Sequence, residues 1–246
     1  MRTSLPQVAR IVALQDESPK VRTLVLDLTM EAEPGQFVMV WLPGVDEKPF
    51  SLVRAGPVTL TVARVGRFST AIHTLGVGDR LWLRGPLGKP FTLPPAGALD
   101  DGSRLLLVGG GYGVAPLYFL AQCARASGWG VSMVIGARTA AGVIFVERFE
   151  ALGVKVVIAT DDGSRGGRGL ATDVAERLLD KAGYGALYAC GPEPMLEAVE
   201  LLARRRALPA QLSYEGIMRC GFGVCGSCAR EGWMVCRDGP VRYVSV

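Results

Sequence analysis

The sequence predicts a multidomain protein: an antiparallel six-stranded β-barrel, then an α/β domain built on a parallel sheet, then a small cysteine-rich module. Three observations carry this. Short alternating apolar runs broken by Gly and Pro fill the early part of the chain, the pattern of an antiparallel barrel. Apolar runs alternating with helical segments fill the middle, the pattern of parallel strands joined by crossover helices. Four of the six cysteines, Cys220, Cys225, Cys228 and Cys236, crowd into the last stretch. The expected boundaries are 1–97, 98–210 and 211–246.

The barrel strands are expected at 8–14, 21–28, 36–41, 50–54, 59–65 and 80–83. In the second of these, Val21, Thr23, Val25 and Asp27 alternate with Arg22, Leu24, Leu26 and Leu28, one set for each face of a strand. A short helix at 69–75 caps the barrel. The stretch 90–103 is rich in Pro, Gly and Asp and reads as a linker. Strands then follow at 105–108, 131–136, 154–159 and 187–189. Helices are expected after the first of these, and at 145–152, 170–181 and 193–206.

Composition narrows the function. Of 246 residues 49% are hydrophobic and 20% charged, and no apolar run approaches the roughly 18 residues of a membrane span. The first twenty residues lack an apolar core behind Arg2, which argues against a secretory signal and makes the cytoplasm the expected location, with no membrane partner. The net charge is only +4, and its densest basic run, Arg204-Arg205-Arg206, ends a predicted helix. Cations are favoured there by the helix dipole, so nucleic acid is not an expected partner. The single histidine, His73, sits among Ala71, Ile72, Thr74 and Leu75 and reads as structural.

Three motifs point to chemistry. Cys220-x4-Cys225-x2-Cys228-x7-Cys236, with glycines at 221, 223 and 226, has the plant-type spacing by which four thiolates hold a [2Fe-2S] cluster. Structural zinc is the rival, but its sites usually present two separated C-x2-C knuckles. The second motif, Gly109-Gly110-Gly111-Tyr112-Gly113, lies between a predicted strand and helix, where a pyrophosphate meets free N–H groups. Cys190-Gly191-Pro192 repeats that arrangement after a later strand, and Cys190 would face the nicotinamide. The third motif is Lys48-Pro49-Phe50-Ser51, taken with Gly66-Arg67-Phe68-Ser69-Thr70 and Arg84-Gly85-Pro86-Leu87-Gly88. It offers a cation and a helix start for a pyrophosphate and a hydroxyl for a flavin edge.

Together with Asp161-Asp162-Gly163-Ser164, Thr172-Asp173, Pro194-Met195 and Val235-Cys236-x-Asp238-Gly239-Pro240, these motifs resemble the ferredoxin-reductase superfamily. Within it they are most similar to the electron-transfer subunits of NAD-linked, class B dihydroorotate dehydrogenases. The resemblance implies FAD on the barrel, NAD on the second domain, and a [2Fe-2S] cluster facing an FMN-containing catalytic subunit in a two-plus-two heterotetramer. It implies FAD contacts at Lys48, Pro49, Phe50, Ser51, Val62, Ala63, Arg64, Ser69 and Thr70. No side chain is then a catalytic residue, because the cofactors carry the chemistry of this pyrimidine-biosynthesis enzyme. Electrons would pass from FMN through the cluster and FAD to NAD.

Three positions depart from the family pattern: Lys48 stands for an arginine, Ser69-Thr70 for Gly-Thr, and Arg242 for the aromatic residue after Gly-Pro-Val. Arg138 follows the second strand of the nucleotide domain, where an NADP 2′-phosphate could be met, and Gly142 stands where relatives often carry an acid. NAD is nevertheless the expected nucleotide. An alternative keeps the cofactors and changes the partner, making the chain the NAD(P)H-dependent reductase subunit of a hydrogenase- or sulfide-dehydrogenase-like complex. A zinc-bearing binding module on a nucleotide-sensing domain is the non-enzymatic alternative. The apolar Phe222 and Val224, between the first two thiols, suggest a docking face.

Overall fold

The computed structural model describes residues 5–95 and 104–244. By contacts the chain falls into two compact units, Met1–Pro90 with Glu215–Pro240 and Phe91–Tyr214 with Val241–Val246. The expected seam at 97/98 lies outside the described residues.

In the first unit β1 (Gln7–Ser18), β2 (Val21–Leu26), β3 (Phe37–Leu42), β4 (Asp46–Ala55), β5 (Val58–Ala63) and β6 (Arg80–Leu87) close a barrel in the order β1-β2-β5-β4-β3-β6. Every seam is antiparallel. Alternation sorts the side chains: in β1, Ala9 and Ile11 are buried while Val8 and Val12 face out. The capping helix α1 spans Arg67–His73, two residues earlier than its expected start. The Ser69 hydroxyl accepts from the Val65 and Gly66 N–H groups at 2.9 and 3.0 Å and so fixes that first turn. His73 is structural: its Nε2 lies 2.8 Å from the Val62 carbonyl oxygen, and its own carbonyl accepts from Arg22.

The second unit contains β7 (Arg104–Gly110), a 3-10 turn (Gly111–Gly113), α2 (Val114–Ala126), β8 (Gly130–Ala137), α3 (Val146–Ala151), β9 (Lys155–Thr160), β10 (Gly167–Arg168), α4 (Ala171–Leu179), β11 (Tyr184–Cys190), α5 (Glu193–Arg205) and β12 (Ala210–Ser213). After β12 come the short strands β13 (Ala229–Arg230) and β14 (Trp233–Met234), helix α6 (Val235–Asp238), and β15 (Val241–Val244). The large sheet runs β10-β9-β8-β7-β11-β12-β15. It is parallel except at β15, which pairs antiparallel with β12. Leu105, Leu106, Leu107 and Val108 are all fully buried, as expected for a central strand covered on both faces.

The residues taken as the start of a linker are tied to this sheet. Thr92 exchanges hydrogen bonds with Gln211 and accepts the Tyr188 hydroxyl, and the Phe91 ring meets Tyr188 edge-on at 5.8 Å. The three arginines at the end of α5 are held by acids, Arg204 by Glu200, Arg205 by Glu176 and Arg206 by Asp180. The cysteine-rich segment was expected to be a module of its own. By contacts, residues 215–240 group with the barrel, while β15 joins the sheet of the second unit.

Candidate functional site

The cysteine segment rests on the barrel through a small apolar core. Phe37 and Met39 of β3 are buried with Met218, Cys228, Val235 and Cys236, and Leu87 of β6 packs against them. A Cβ on Gly221 would lie 2.9 Å from Met39 Cγ and 3.0 Å from Leu87 Cδ1, so only glycine lets the loop approach this wall. The hairpin β13–β14 and α6 then bring the fourth thiol back: Val235 N–H donates to the Cys228 carbonyl, and the Cys228 and Cys236 sulfurs stand 3.2 Å apart.

Two contacts link the four sulfurs pairwise. Cys228 and Cys236 make the buried pair; Cys220 and Cys225, hydrogen-bonded to each other, make the outer one. A two-iron cluster takes two thiolates on each iron. The donor set therefore fits [2Fe-2S]. The pairs also differ electrostatically. At Cys220 burial opposes ionisation, yet the backbone N–H groups of Cys225, Phe222 and Val224 hold the thiol down at about 6. Burial and the neighbouring Cys228 push Cys236 up to about 12. N–H groups aimed at a ligand sulfur stabilise negative charge, which is how surroundings raise a cluster's potential.

Arg84 opens the Arg84-Gly85-Pro86-Leu87-Gly88 motif, and the structure ties it to the cysteine loop. Its guanidinium forks onto Glu47 at 2.8 and 2.8 Å and donates to the Cys220 carbonyl at 3.0 Å. It also lies 5.6 Å from the centre of the Phe222 ring. Glu47 escaped the sequence reading, because its partner Arg84 is 37 residues away along the chain. Phe222 is half-buried beneath this cation, while Val224 is 77% exposed and Ile217 likewise 77%. Arg242, which departs from the family pattern, stands on β15 opposite Leu212.

The remaining barrel candidates lie on and after β4 and β5. Lys48 pairs with Asp46 at 2.5 Å, and Asp46 is held below the usual carboxylate range, first by that bond. Pro49 and Ser51 stand opposite Met39 and Phe37, and the Phe50 ring lies 6.0 Å from Phe68. Val62 is buried in the barrel core, Ala63 is half-buried, and Thr70 is exposed. Arg64 lines an open recess with Asp16, Glu17, Arg22 and His73.

In the second unit the two glycine motifs meet. The chain leaves β7 for β8 on one side and returns through β11 on the other, so the switch of direction falls between β7 and β11. Ligands of such sheets bind in the crevice at the carboxyl ends of those strands. There Cys190 is in register with Gly109, and a Cβ on Gly113 would come within 2.4 Å of the Cys190 carbonyl oxygen. A Cβ on Gly110 would lie 2.7 Å from Pro192 Cδ and 2.9 Å from Met195 Sδ, and one on Gly191 2.9 Å from the Gly110 nitrogen. Cys190 is buried and forms no disulfide. Next to this edge Asp161 and Asp162 donate their N–H groups to the carbonyls of Ala137 and Arg138, and the Ser164 hydroxyl accepts from Ala140.

A closed barrel, a glycine-lined crevice at the switch point of a parallel sheet and a paired four-thiol loop define an oxidoreductase of the ferredoxin-reductase type, linked to flavin, nicotinamide and an iron–sulfur cluster. Residues 215–244 match the iron–sulfur cluster binding domain of dihydroorotate dehydrogenase B, and residues 107–201 match the oxidoreductase NAD-binding domain. A Methanocaldococcus jannaschii protein described as the probable electron transfer subunit of dihydroorotate dehydrogenase B (NAD(+)) is 39% identical over 97% of this chain and 90% of its own length. A Thermococcus kodakarensis protein of the same description is 42% identical over 96% and 95%. The solved structure of an NADH-dependent reduced ferredoxin-NADP oxidoreductase superposes with a TM-score of 0.83 at 28% identity, covering 96% of this chain and 87% of that one. The chain belongs to the family of dihydroorotate dehydrogenase B (NAD(+)) electron-transfer subunits.

Proposed function

We propose that this chain carries electrons from an FMN-bearing dihydroorotate dehydrogenase subunit to NAD, in the cytoplasm and as part of a two-plus-two heterotetramer. The observation that carries the reading is the paired four-thiol loop seated on the barrel wall, with Val224 exposed at its tip. When bound, FAD supplies the exchange between the single electrons of an iron–sulfur cluster and the hydride of a nicotinamide. Among the described residues no helix is long and apolar enough to cross a membrane.

The chain's own residues bind and orient. Cys220, Cys225, Cys228 and Cys236 would hold the irons. Lys48 to Ser51, Val62 to Arg64 and Ser69 with Thr70 would line the FAD site, where the Lys48 ammonium must leave Asp46 or share it in order to meet a phosphate. Gly109 to Gly111, Gly113 and Cys190 to Pro192 would receive NAD, and these two loops close tightly on each other. The buried Cys190 thiol would lie against the nicotinamide.

The test is reconstitution. The isolated chain should reduce a dye with NADH and should not oxidise dihydroorotate, and adding the FMN subunit should produce dihydroorotate-dependent NAD reduction. Oxidation of dihydroorotate by the isolated chain, or a complex that prefers NADPH, would contradict the proposed division of labour or the proposed nucleotide.

A further inference from the structure

We propose that the Arg84–Glu47 ion pair positions the first turn of the four-cysteine loop and sets the charge that a cluster there feels. This deepens the reading of the four thiols as cluster ligands and rests on it. Arg84 is on β6 and Glu47 on β4, the two strands that flank β3 in the barrel wall. Their side chains are 18% and 24% exposed, so the pair is largely withdrawn from water and its geometry is bidentate. Such a fork is the strong form of carboxylate pairing.

One nitrogen of the same guanidinium reaches across to the carbonyl of Cys220, the first ligand, and the group lies over the ring of Phe222 two residues on. The barrel therefore holds the cation, and the cation holds residues 220–222 where Gly221 touches Met39 and Leu87. Lysine cannot reproduce this: its point charge can meet a carboxylate or a carbonyl, but it has no planar fork that spans both while stacking on an aromatic ring.

The electrostatic consequence has a sign. Reduction adds one negative charge to the cluster, within reach of a partly buried pair that is neutral as a whole. Removing Glu47's charge leaves an uncompensated cation and favours the reduced state. Removing Arg84's charge leaves an anion and disfavours it. A purely structural contact would give no such opposition, because loosening the loop by either route would act in one direction.

The experiment uses the full chain loaded with FAD and cluster. Iron and acid-labile sulfide are counted, and the cluster's midpoint potential is read from the reduced-state paramagnetic resonance signal during redox titration. In Glu47→Gln the reduced-to-oxidised ratio at fixed potential should rise about tenfold, and in Arg84→Met fall by a similar factor, each tenfold step being about 59 mV for one electron. Arg84→Lys should stay within about twofold of wild type in that ratio, yet lose iron to a chelator faster, since it keeps charge without the fork. If Arg84→Met holds no iron, Glu47→Gln decides alone: an upward shift supports the proposal, no shift overturns it. Shifts of one sign in both variants also overturn it. Wild-type protein without iron and sulfide would instead refute the ligand assignment beneath it.

Discussion

In the nucleotide crevice a Cβ on Gly113 would sit 2.4 Å from the Cys190 carbonyl oxygen, whereas in the cysteine loop Gly226 has open space around it and a φ of +73°. Gly113 itself has an ordinary helical backbone, φ −61°. One glycine is needed because two loops close on each other, the other because the chain must turn through a conformation that side chains resist. The first is a property of packing between distant segments and the second a property of the local chain. The two regions should therefore fail differently when altered.

The largest effect expected is at the cysteine loop. Cys225→Ser should abolish the cluster's reduced-state resonance and its labile sulfide while leaving FAD bound. A normal signal in that variant would remove Cys225 from the ligand set. Next, Val224→Glu should slow dihydroorotate-to-NAD turnover in the complex by about tenfold, equivalent to about 1.4 kcal/mol of docking energy. Dye reduction by NADH should change far less, and an equal fall in both would mean that the exposed valine serves the loop rather than the partner.

Gly113→Ala tests the crowded side of the comparison. Overpacking against backbone should cost about 1–3 kcal/mol in urea unfolding, with a raised KM for NADH, because the two crevice loops must part. Gly226→Ala should be the mildest, at about 1 kcal/mol from left-handed strain, with cluster content preserved. If Gly226→Ala proved the more damaging of the two, the contrast between crowding and backbone conformation would be wrong.

The same contrast explains what could be read from the sequence. The barrel strands, the buried strand at β7 and the thiol spacing are local patterns, and each stands near its expected place. The start of α1 was missed by two residues because a hydroxyl, Ser69, sets it from inside the helix. β12 and β15 are four residues each and lack a repeating pattern long enough to read. Pairing of Ser213 with Val241 is a fact about position in space. So is the use of Arg84: its sequence context announces a glycine–proline turn, while its partners, Glu47 and the Cys220 carbonyl, are 37 and 136 residues away.

That pairing of β12 with β15 gives the cysteine segment an unusual status. Residues 214–240 are the connection of an antiparallel hairpin whose two arms belong to the nucleotide sheet. Closing so long a loop costs little more entropy than closing one of half the length, so an edge hairpin can host a metal site at small expense. The site's ligands in turn order that loop when iron binds. Iron loading should then register at the sheet margin, as slower amide exchange in Val241–Val244, and the cluster would act as a clasp on the hairpin that carries it.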